Sequence, residues 1–308
     1  MAFADVPKIE KFKFYIDVAF KRAQKVEVKD PKKKQLSKLD TIRDTLIVSL
    51  ERILNKFPQI DELDDFYKEL FKNSVDYIGI KKALGSLIWA MNKVKFFHRQ
   101  YSFKIRRAEE GRMNLVRREF YGRVNSVLKQ IRDELALLEE ARKEILKFPV
   151  VKTGMKTCCL IGFPNVGKTT LLFKLTGSKP DIQPYAFTTK GVNVSYMERL
   201  QLLDTPGTLN RTDKMNRIEM ISFLASKYLA DFFVFVFDPT YDYVDQEKLY
   251  KKVKKFDKEV LVYLSKTDMV ENVDEFQKFK PLTQEQLKKE LEKKINTSEI
   301  KGIKRNKL

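Results

Sequence analysis

The chain has 308 residues, 43% of them hydrophobic, and its 61 lysines and arginines against 42 aspartates and glutamates give a net charge of +19. This length suits two domains. The basic excess favours a polyanionic partner, nucleic acid or an anionic membrane surface, over a surface that is only well solvated. One histidine and two adjacent cysteines, Cys158 and Cys159, exclude a zinc site or a histidine-based triad within the chain.

Helical periodicity runs through the first 150 residues. Apolar residues recur every three or four positions, and the predicted helices cover residues 12–23, 39–54, 77–108 and 112–147. Gly79 and Gly85 are positions at which the third of these helices could break, and Pro149 ends the fourth. Because the apolar faces need partners, we predict an antiparallel helical bundle over residues 1–150.

A different pattern begins near residue 151. Short apolar runs, with helical stretches between several of them, occupy residues 156–161, 191–197, 200–203, 232–237 and 260–264. Continuous apolar strands that alternate with helices are typical of a parallel sheet covered on both faces. We therefore predict a three-layer α/β domain over residues 151–300, followed by a basic, flexible tail over residues 301–308.

Basic residues are in excess in both halves, with a net charge of +11 for residues 1–150 and +8 for residues 151–308. The densest arginine region contains Arg99, Arg106, Arg107, Arg112, Arg117, Arg118 and Arg123, interleaved with Tyr101, Phe103, Phe120 and Tyr121. Arginine forks onto phosphate and aromatic rings stack on exposed bases, so this face is a candidate for RNA contact. The alternative is that the rings belong to the bundle core and the arginines are only solvated.

A phosphate-binding loop is predicted directly after the first strand. The segment matches the pattern G-x-x-x-x-G-K-[ST] and consists of Gly162, Phe163, Pro164, Asn165, Val166, Gly167, Lys168 and Thr169, with Thr170 in the helix that follows. Glycines let successive amides point at phosphate oxygens, and the helix adds its positive end. We expect Lys168 to bridge the β- and γ-phosphates of a nucleotide and Thr169 to ligate Mg²⁺.

Two later segments are expected to respond to the γ-phosphate. Asp204 follows a strand and can hold Mg²⁺ through water, while the amide of Gly207 can bond the γ-phosphate, which makes residues 207–217 a candidate switch. Between these motifs, the hydroxyl of Thr188 or Thr189 can complete the Mg²⁺ shell, and Thr189 is the better candidate. The predicted metal ligands are Thr169, Thr189 and Asp204.

Guanine recognition is predicted after the last strand. The carboxylate of Asp268 can accept both N1–H and the 2-amino group of guanine, which adenine does not offer, and the stem of Lys266 can lie along the base. Ser265 occupies a position that is usually Asn, so we expect weaker nucleotide affinity with unchanged specificity. Residues 281–283 are the best candidate for the last base-contacting loop.

These motifs resemble the Obg-related GTPases of the translation-factor class, and within it the nucleolar GTP-binding protein (Nog) family. The segments that carry the resemblance are 19–26, 117–129, 139–149, 163–168, 184–190 and 217–220, and together they extend over roughly residues 8–270. A helical bundle joined directly to this kind of GTPase is specific to the family.

The resemblance implies a GTPase that acts in assembly of the large ribosomal subunit and binds precursor rRNA and ribosomal proteins. The compact form looks archaeal, which implies a cytoplasmic location, or a nucleolar one if the source is a eukaryote. We expect a monomer away from the ribosome and no membrane association. An RNA-binding scaffold that holds guanine nucleotide with little turnover is the alternative.

Hydrolysis is expected to be slow without a partner. Efficient small GTPases often place Gln just after the D-x-x-G motif, and here that position is Thr208. Related GTPases with Asn at the position of Asn165 can use it to ligate K⁺, whose charge would act as an arginine finger does; the alternative is that Asn165 only stabilises the loop. The predicted catalytic residues are Asn165, Lys168, Thr189 and Gly207.

Overall fold

The computed structural model describes residues 3–176, 193–204 and 217–305. The chain divides into two compact units. One consists of Met1–Leu63 with Phe71–Phe148, and the other of Asp64–Leu70 with Pro149–Leu308. The predicted architecture, a helical domain followed by an α/β domain with a mostly parallel sheet, is confirmed.

The helices of the N-terminal half are α1 (Phe12–Gln24), α2 (Pro31–Lys56), α3 (Asp65–Ser74), α4 (Tyr77–Arg107), α5 (Glu110–Gln130) and α6 (Arg132–Ile145). Local signals explain where they start. The side chain of Asp30 caps α2 by accepting from the Lys33 amide at 2.6 Å, with Pro31 in the first turn. Asp76 caps α4 by accepting from the Gly79 amide at 2.9 Å, and a Cβ at Gly79 would collide with that carboxylate. Gly79 therefore belongs to the cap, and α4 is unbroken at Gly79 and Gly85.

The single helix predicted over residues 112–147 is wrong, because the structure has two. Ile131 leaves helical geometry, with φ −98° and ψ 18°, and is buried between α5 and α6. The first turn of α6 carries Asp133 and Glu134, which suit the positive N-terminal end of a new helix. The apolar periodicity continues across the junction, so it gives no sign of the break.

Packing of α4 against α2, α5 and α6 forms the centre of the bundle. Its core side chains include Leu46, Leu87, Val94, Phe120 and Leu138, all fully buried. His98 lies in the wall of this core, with its Nε2 2.7 Å from Asp40 Oδ1, and burial together with the nearby Arg43 holds the pKa of His98 below its usual value. The single histidine is thus a packed structural residue.

Among the residues that the structure describes, the sheet of the second unit has five strands: β1 (Lys156–Ile161), β2 (Asn193–Met197), β3 (Leu200–Asp204), β4 (Phe232–Phe237) and β5 (Glu259–Leu264). Their order is β2-β3-β1-β4-β5, and only the β2–β3 pair is antiparallel. The central β1 has β3 on one side and β4 on the other. The strands that follow β1 are therefore added first on one side of it and then on the other, which makes β1 the topological switch point of the sheet. Such a switch point, at the carboxyl ends of the strands, is where open α/β sheets bind ligands.

In the described part of the second unit, four helices accompany the sheet: α7 (Lys168–Thr176), α8 (Arg217–Leu224, continued by a π-helical turn), α9 (Tyr243–Lys254) and α10 (Gln284–Arg305). Side chains of α7 and α10 pack against Cys158, Leu160 and Val234 on one face. Rings of α8 and α9 contact Phe233 and Phe235 on the other, directly or through Phe256. The final helix extends to Arg305, within the segment expected to be a tail. Among the described residues, no helix is long and apolar enough to cross a membrane.

Candidate nucleotide-binding site

The loop between β1 and α7 has the curled backbone that its sequence predicts. Gly167 has φ +87° and Asn165 has φ +62°, both in the left-handed region. Gly162 lies so close to β4 that a Cβ there would stand 2.5 Å from the carbonyl oxygen of Val236. Glycine is therefore required at Gly167 because of its backbone conformation and at Gly162 because there is no space for a side chain.

Lys168 opens α7 and points back into the loop. Its Nζ donates to the carbonyl oxygens of Gly162 at 3.1 Å and Phe163 at 2.7 Å, and the side chain is buried. Burial lowers the pKa of Lys168, while the charge of Asp204 acts in the opposite direction. An anion brought to this ammonium would favour its charged form, which is the behaviour expected of a phosphate-binding lysine.

The two described candidates for metal ligation are brought together. The hydroxyl of Thr169 donates to Asp204 Oδ2 at 2.6 Å, and the side-chain amide of Asn193 donates to the same oxygen at 3.3 Å. Asp204 is buried at the end of β3. A hydroxyl and a carboxylate at this spacing are hard oxygen donors of the kind that Mg²⁺ takes, usually alongside phosphate oxygens and water, so the residues present fit the ion. Asn193 was not predicted from the sequence.

The remaining loop residues differ in exposure. Pro164, Asn165, Thr169 and Thr170 are exposed, Phe163 and Gly167 are half-buried, and Gly162, Val166 and Lys168 are buried. Val166 packs in the core, so it contributes to ligand binding through its backbone only. Thr188, Thr189, Gly207 and Thr208 lie outside the described residues, as does most of the candidate switch 207–217.

Ser265 lies behind the phosphate loop, but it bonds elsewhere. Its Oγ and its amide both donate to the carbonyl oxygen of Phe237 at 2.9 Å, and an added Cβ at Gly167 would stand 3.8 Å from Ser265 Cβ. The hydroxyl is thus tied to the end of β4. A longer amide at this position would reach further towards the loop, which supplies the physical basis for expecting weaker nucleotide affinity.

Lys266 is held by a carboxylate that the sequence analysis did not single out. The Nζ of Lys266 lies 2.6 Å from Oδ2 of Asp238, a fully buried residue directly after β4, and Lys266 itself has φ +48°. Burial raises the pKa of Asp238, but hydrogen bonds from Lys266 and Thr240 outweigh it, so the pKa of Asp238 lies below its usual value. The sequence signal that could have identified Asp238 is its position directly after a wholly apolar strand.

Asp268 lies in a short 3-10 turn, Thr267–Met269, and is exposed, as a base-contacting residue must be. The predicted last base-contacting loop, residues 281–283, lies next to β5, because Leu282 forms an isolated parallel bridge with Tyr263 of that strand. Thr283 then caps α10, since its Oγ1 accepts from the Gln286 amide at 3.2 Å and Oε1 of Gln286 accepts from the Thr283 amide at 2.9 Å. The loop therefore reaches the same edge of the sheet as Ser265.

The arginine-rich region of the bundle is divided by the structure. Tyr101 and Phe120 are buried, and Tyr121 stacks on Phe20 with a centroid distance of 4.4 Å. Phe103 alone of the four predicted rings is exposed. Arg117 is half-buried and donates to Gln35 at 2.8 Å. The exposed arginines are Arg99, Arg106, Arg107, Arg112, Arg118 and Arg123. Packing thus explains three of the rings, and contact of the arginines with RNA stays a prediction.

Comparison with known proteins adds independent findings. Residues 3–152 match the NOG1 N-terminal helical domain, and residues 157–267 match the family described as 50S ribosome-binding GTPase. An uncharacterized protein of Methanocaldococcus jannaschii is 37% identical over 76% of this chain and 69% of its own length. Nucleolar GTP-binding protein 1 of Saccharomyces cerevisiae is 28% identical over 89% of this chain and 46% of its own length. That of Arabidopsis thaliana is 31% identical over 73% of this chain and 36% of its own length.

The chain thus spans less than half the length of these two nucleolar relatives. The helical half matches the NOG1 domain, the second half matches the GTPase family, and relatives at least 30% identical cover more than two thirds of this chain. On these matches, and on the phosphate loop described above, the chain is a GTP-binding protein that belongs to the nucleolar GTP-binding protein (Nog) family of P-loop GTPases.

Proposed function

We propose that this protein binds GTP with Mg²⁺, hydrolyses it slowly to GDP and phosphate, and acts as a switch in assembly of the large ribosomal subunit. The observation that carries the nucleotide part is the joint placement of Lys168, inside the curl of the phosphate loop, and Thr169, bonded to Asp204. Lys168 binds the phosphates, and Thr169 and Asp204 hold the metal.

The other residues of the proposed site divide the remaining work. Thr189 completes the metal shell and the amide of Gly207 binds the γ-phosphate, while Asp268 selects guanine and Lys266 supports the base. Mg²⁺, when bound, neutralises charge on the phosphates. The protein's own contribution is to hold Lys168, Thr169 and Asp204 in place before GTP arrives. Positioning of this kind, with electrostatic stabilisation, is the main source of catalysis in phosphoryl transfer.

Binding to precursor rRNA and ribosomal particles is the second part of the proposal. It is supported by the net charge of +19, by the exposed arginines of α4 and α5, and by the match to a family described as ribosome-binding. We propose a monomer in the cytoplasm, or in the nucleolus if the source is eukaryotic, with ribosomal proteins as further partners.

One observation favours a second candidate function. Ser265 is bonded to Phe237 and not to the phosphate loop, which would weaken nucleotide binding. Weakened nucleotide binding is compatible with an RNA-binding scaffold that carries guanine nucleotide with little turnover.

Single-turnover hydrolysis of GTP, with and without large ribosomal subunits, separates the two functions. We expect slow turnover by the protein alone and faster turnover with subunits, both abolished in Lys168→Ala. Binding of GTP and of subunits without turnover in either condition would establish the scaffold. No GTP binding by the unaltered chain would refute both.

A further inference from the structure

The longest helix of the bundle, α4, carries an unusual set of side chains. Over its 31 residues it has eight basic residues and no acidic one, although the chain as a whole has 42 acidic residues. Lys81 pairs with Asp61 and Lys104 with Glu119. Among the described residues, no ion pair engages the other six, which are Lys82, Lys93, Lys95, Arg99, Arg106 and Arg107.

Three aromatic residues follow the exposed side of this helix at intervals of seven. Trp89, Phe96 and Phe103 are 38%, 57% and 52% exposed, far more than large rings in a packed core. Seven residues are close to two helical turns, so the three rings share one face, with centres about 10 Å apart along the axis and about 21 Å from first to last. We call these residues the α4 ring stripe.

Polar residues flank the α4 ring stripe closely. Lys93, Gln100 and Arg107 follow the three rings by four positions each, which places them between or just beyond the rings. The guanidinium of Arg107 lies 4.0 Å from the centroid of Phe103, and Lys93 Nζ lies 5.9 Å from that of Phe96. No continuous apolar strip results, so insertion into a membrane or an apolar protein groove would bury the charges of Lys93 and Arg107 beside the rings.

We propose that the α4 ring stripe binds unpaired RNA, with bases stacked on Trp89, Phe96 and Phe103 and phosphates on neighbouring cations such as Lys93 and Arg107. A spacing of about 10 Å is three times the ~3.4 Å rise per nucleotide of a stacked strand, so each ring takes a separate, splayed base. Duplex RNA hides its base faces and can only meet the cations. This inference rests on the proposed RNA-binding function and names the surface and the RNA form for it.

The protein contains its own reporter, because Trp89 is the only tryptophan in the chain. Titration of the full chain with a single-stranded oligouridylate of about ten nucleotides should quench Trp89 fluorescence. A duplex of the same length, or vesicles of phosphatidylserine and phosphatidylcholine, should not. Equal quenching by duplex or by vesicles would overturn the assignment.

A double variant, Phe96→Leu with Phe103→Leu, keeps Trp89 and every charge. We expect its affinity for the single strand, measured by anisotropy of labelled RNA, to fall about 10- to 100-fold with an unchanged salt slope and unchanged duplex binding. Phe14→Leu, which removes a ring that is 50% exposed on α1, is the matched control and should bind normally.

Retained single-strand affinity in the double variant would refute the α4 ring stripe and leave RNA binding intact. Loss of a protein partner with unchanged RNA affinity would likewise reassign this face. If the unaltered chain binds neither RNA form nor large subunits, the RNA part of the proposed function fails as well.

Discussion

At the scale of single residues, two carboxylates near the end of the sheet lie in different surroundings. Asp268 is exposed and free to meet a ligand, whereas Asp238 is fully buried and fixes Lys266. One is therefore a candidate for guanine recognition and the other a positioning residue. Their difference comes from burial, since both are the same side chain at the carboxyl end of a strand.

Asp268→Asn tests guanine recognition. The amide offers a donor where guanine also has a donor, so we expect GTP affinity to fall by about 10- to 100-fold and xanthine nucleotide to be gained as a ligand. Calorimetric titration measures both. Asp274→Asn, an exposed residue further along the chain, is the matched control. Unchanged GTP affinity in the Asp268 variant would remove this residue from the site.

Asn165 allows two explanations to be separated by choice of substitution. Its φ of +62° is a conformation that Gly adopts freely and Ala does not. Asn165→Gly therefore leaves this backbone conformation accessible and removes the side chain. If Asn165 ligates K⁺, turnover of the unaltered protein is faster in K⁺ than in Na⁺ at equal ionic strength, and Asn165→Gly abolishes the difference. Equal rates in both salts, alone and on ribosomal particles, would leave the loop-stabilising role.

At the scale of elements, α5 presents arginines on an exposed face and a buried one. Arg112, Arg118 and Arg123 are exposed, while Arg117 bonds Gln35 and lies over the ring of Tyr121. Replacing Arg117 would disturb packing as well as charge. A test of RNA contact by this helix should leave it in place.

Changing Arg112, Arg118 and Arg123 together to Gln should weaken RNA binding. It should also reduce the slope of log affinity against log salt concentration for single strands by about two, because fewer phosphate contacts form and fewer counterions are released on binding. The measurement is binding affinity against salt concentration. Gln at Lys248, Lys251 and Lys254 of α9 gives the same change in net charge and is the control. Equal slopes for the unaltered protein and the arginine variant would show that these side chains do not contact phosphate.

At the scale of the whole molecule, the sheet encloses two thiols that report on unfolding. Cys158 and Cys159 are free and fully buried in β1. Burial raises the pKa of Cys159 to about 12 and that of Cys158 well above its ordinary value. At neutral pH both remain protonated and unreactive, since the thiolate is the nucleophile.

A thiol reagent should therefore label neither cysteine in the native protein and both in denaturant. Saturating GTP with Mg²⁺ should slow labelling in intermediate denaturant, because a ligand that binds only the folded state stabilises it. Mass spectrometry of labelled protein gives the count. Rapid labelling of the native chain would contradict the position of β1 at the centre of the sheet, and the Lys168→Ala protein should show no effect of GTP.

Local patterns in the sequence were sufficient to predict many of the strands and the backbone of the phosphate loop. The apolar runs at β1 and β4 have the predicted ends, and the glycines, Lys168 and Thr169 of the phosphate loop occupy the expected curl. These features depend on residues within a few positions of one another: a run of apolar side chains, a glycine at positive φ, a helix start. Such short-range constraints can be read from the sequence without knowing the rest of the fold.

Contacts between segments distant in the sequence determined the helix break, the burial of individual rings and the pairing of side chains. The break at Ile131 leaves the apolar period intact, so only packing shows it. Tyr101 and Phe103 are two positions apart, yet one is buried and the other exposed, because the neighbouring helices cover the part of the α4 surface that holds Tyr101 and leave Phe103 uncovered. The ion pair of Asp238 with Lys266 and the bond of Ser265 to Phe237 join the ends of β4 and β5, which lie side by side only in the folded sheet. Burial and pairing of this kind depend on which elements become neighbours, and the tertiary structure alone determines that.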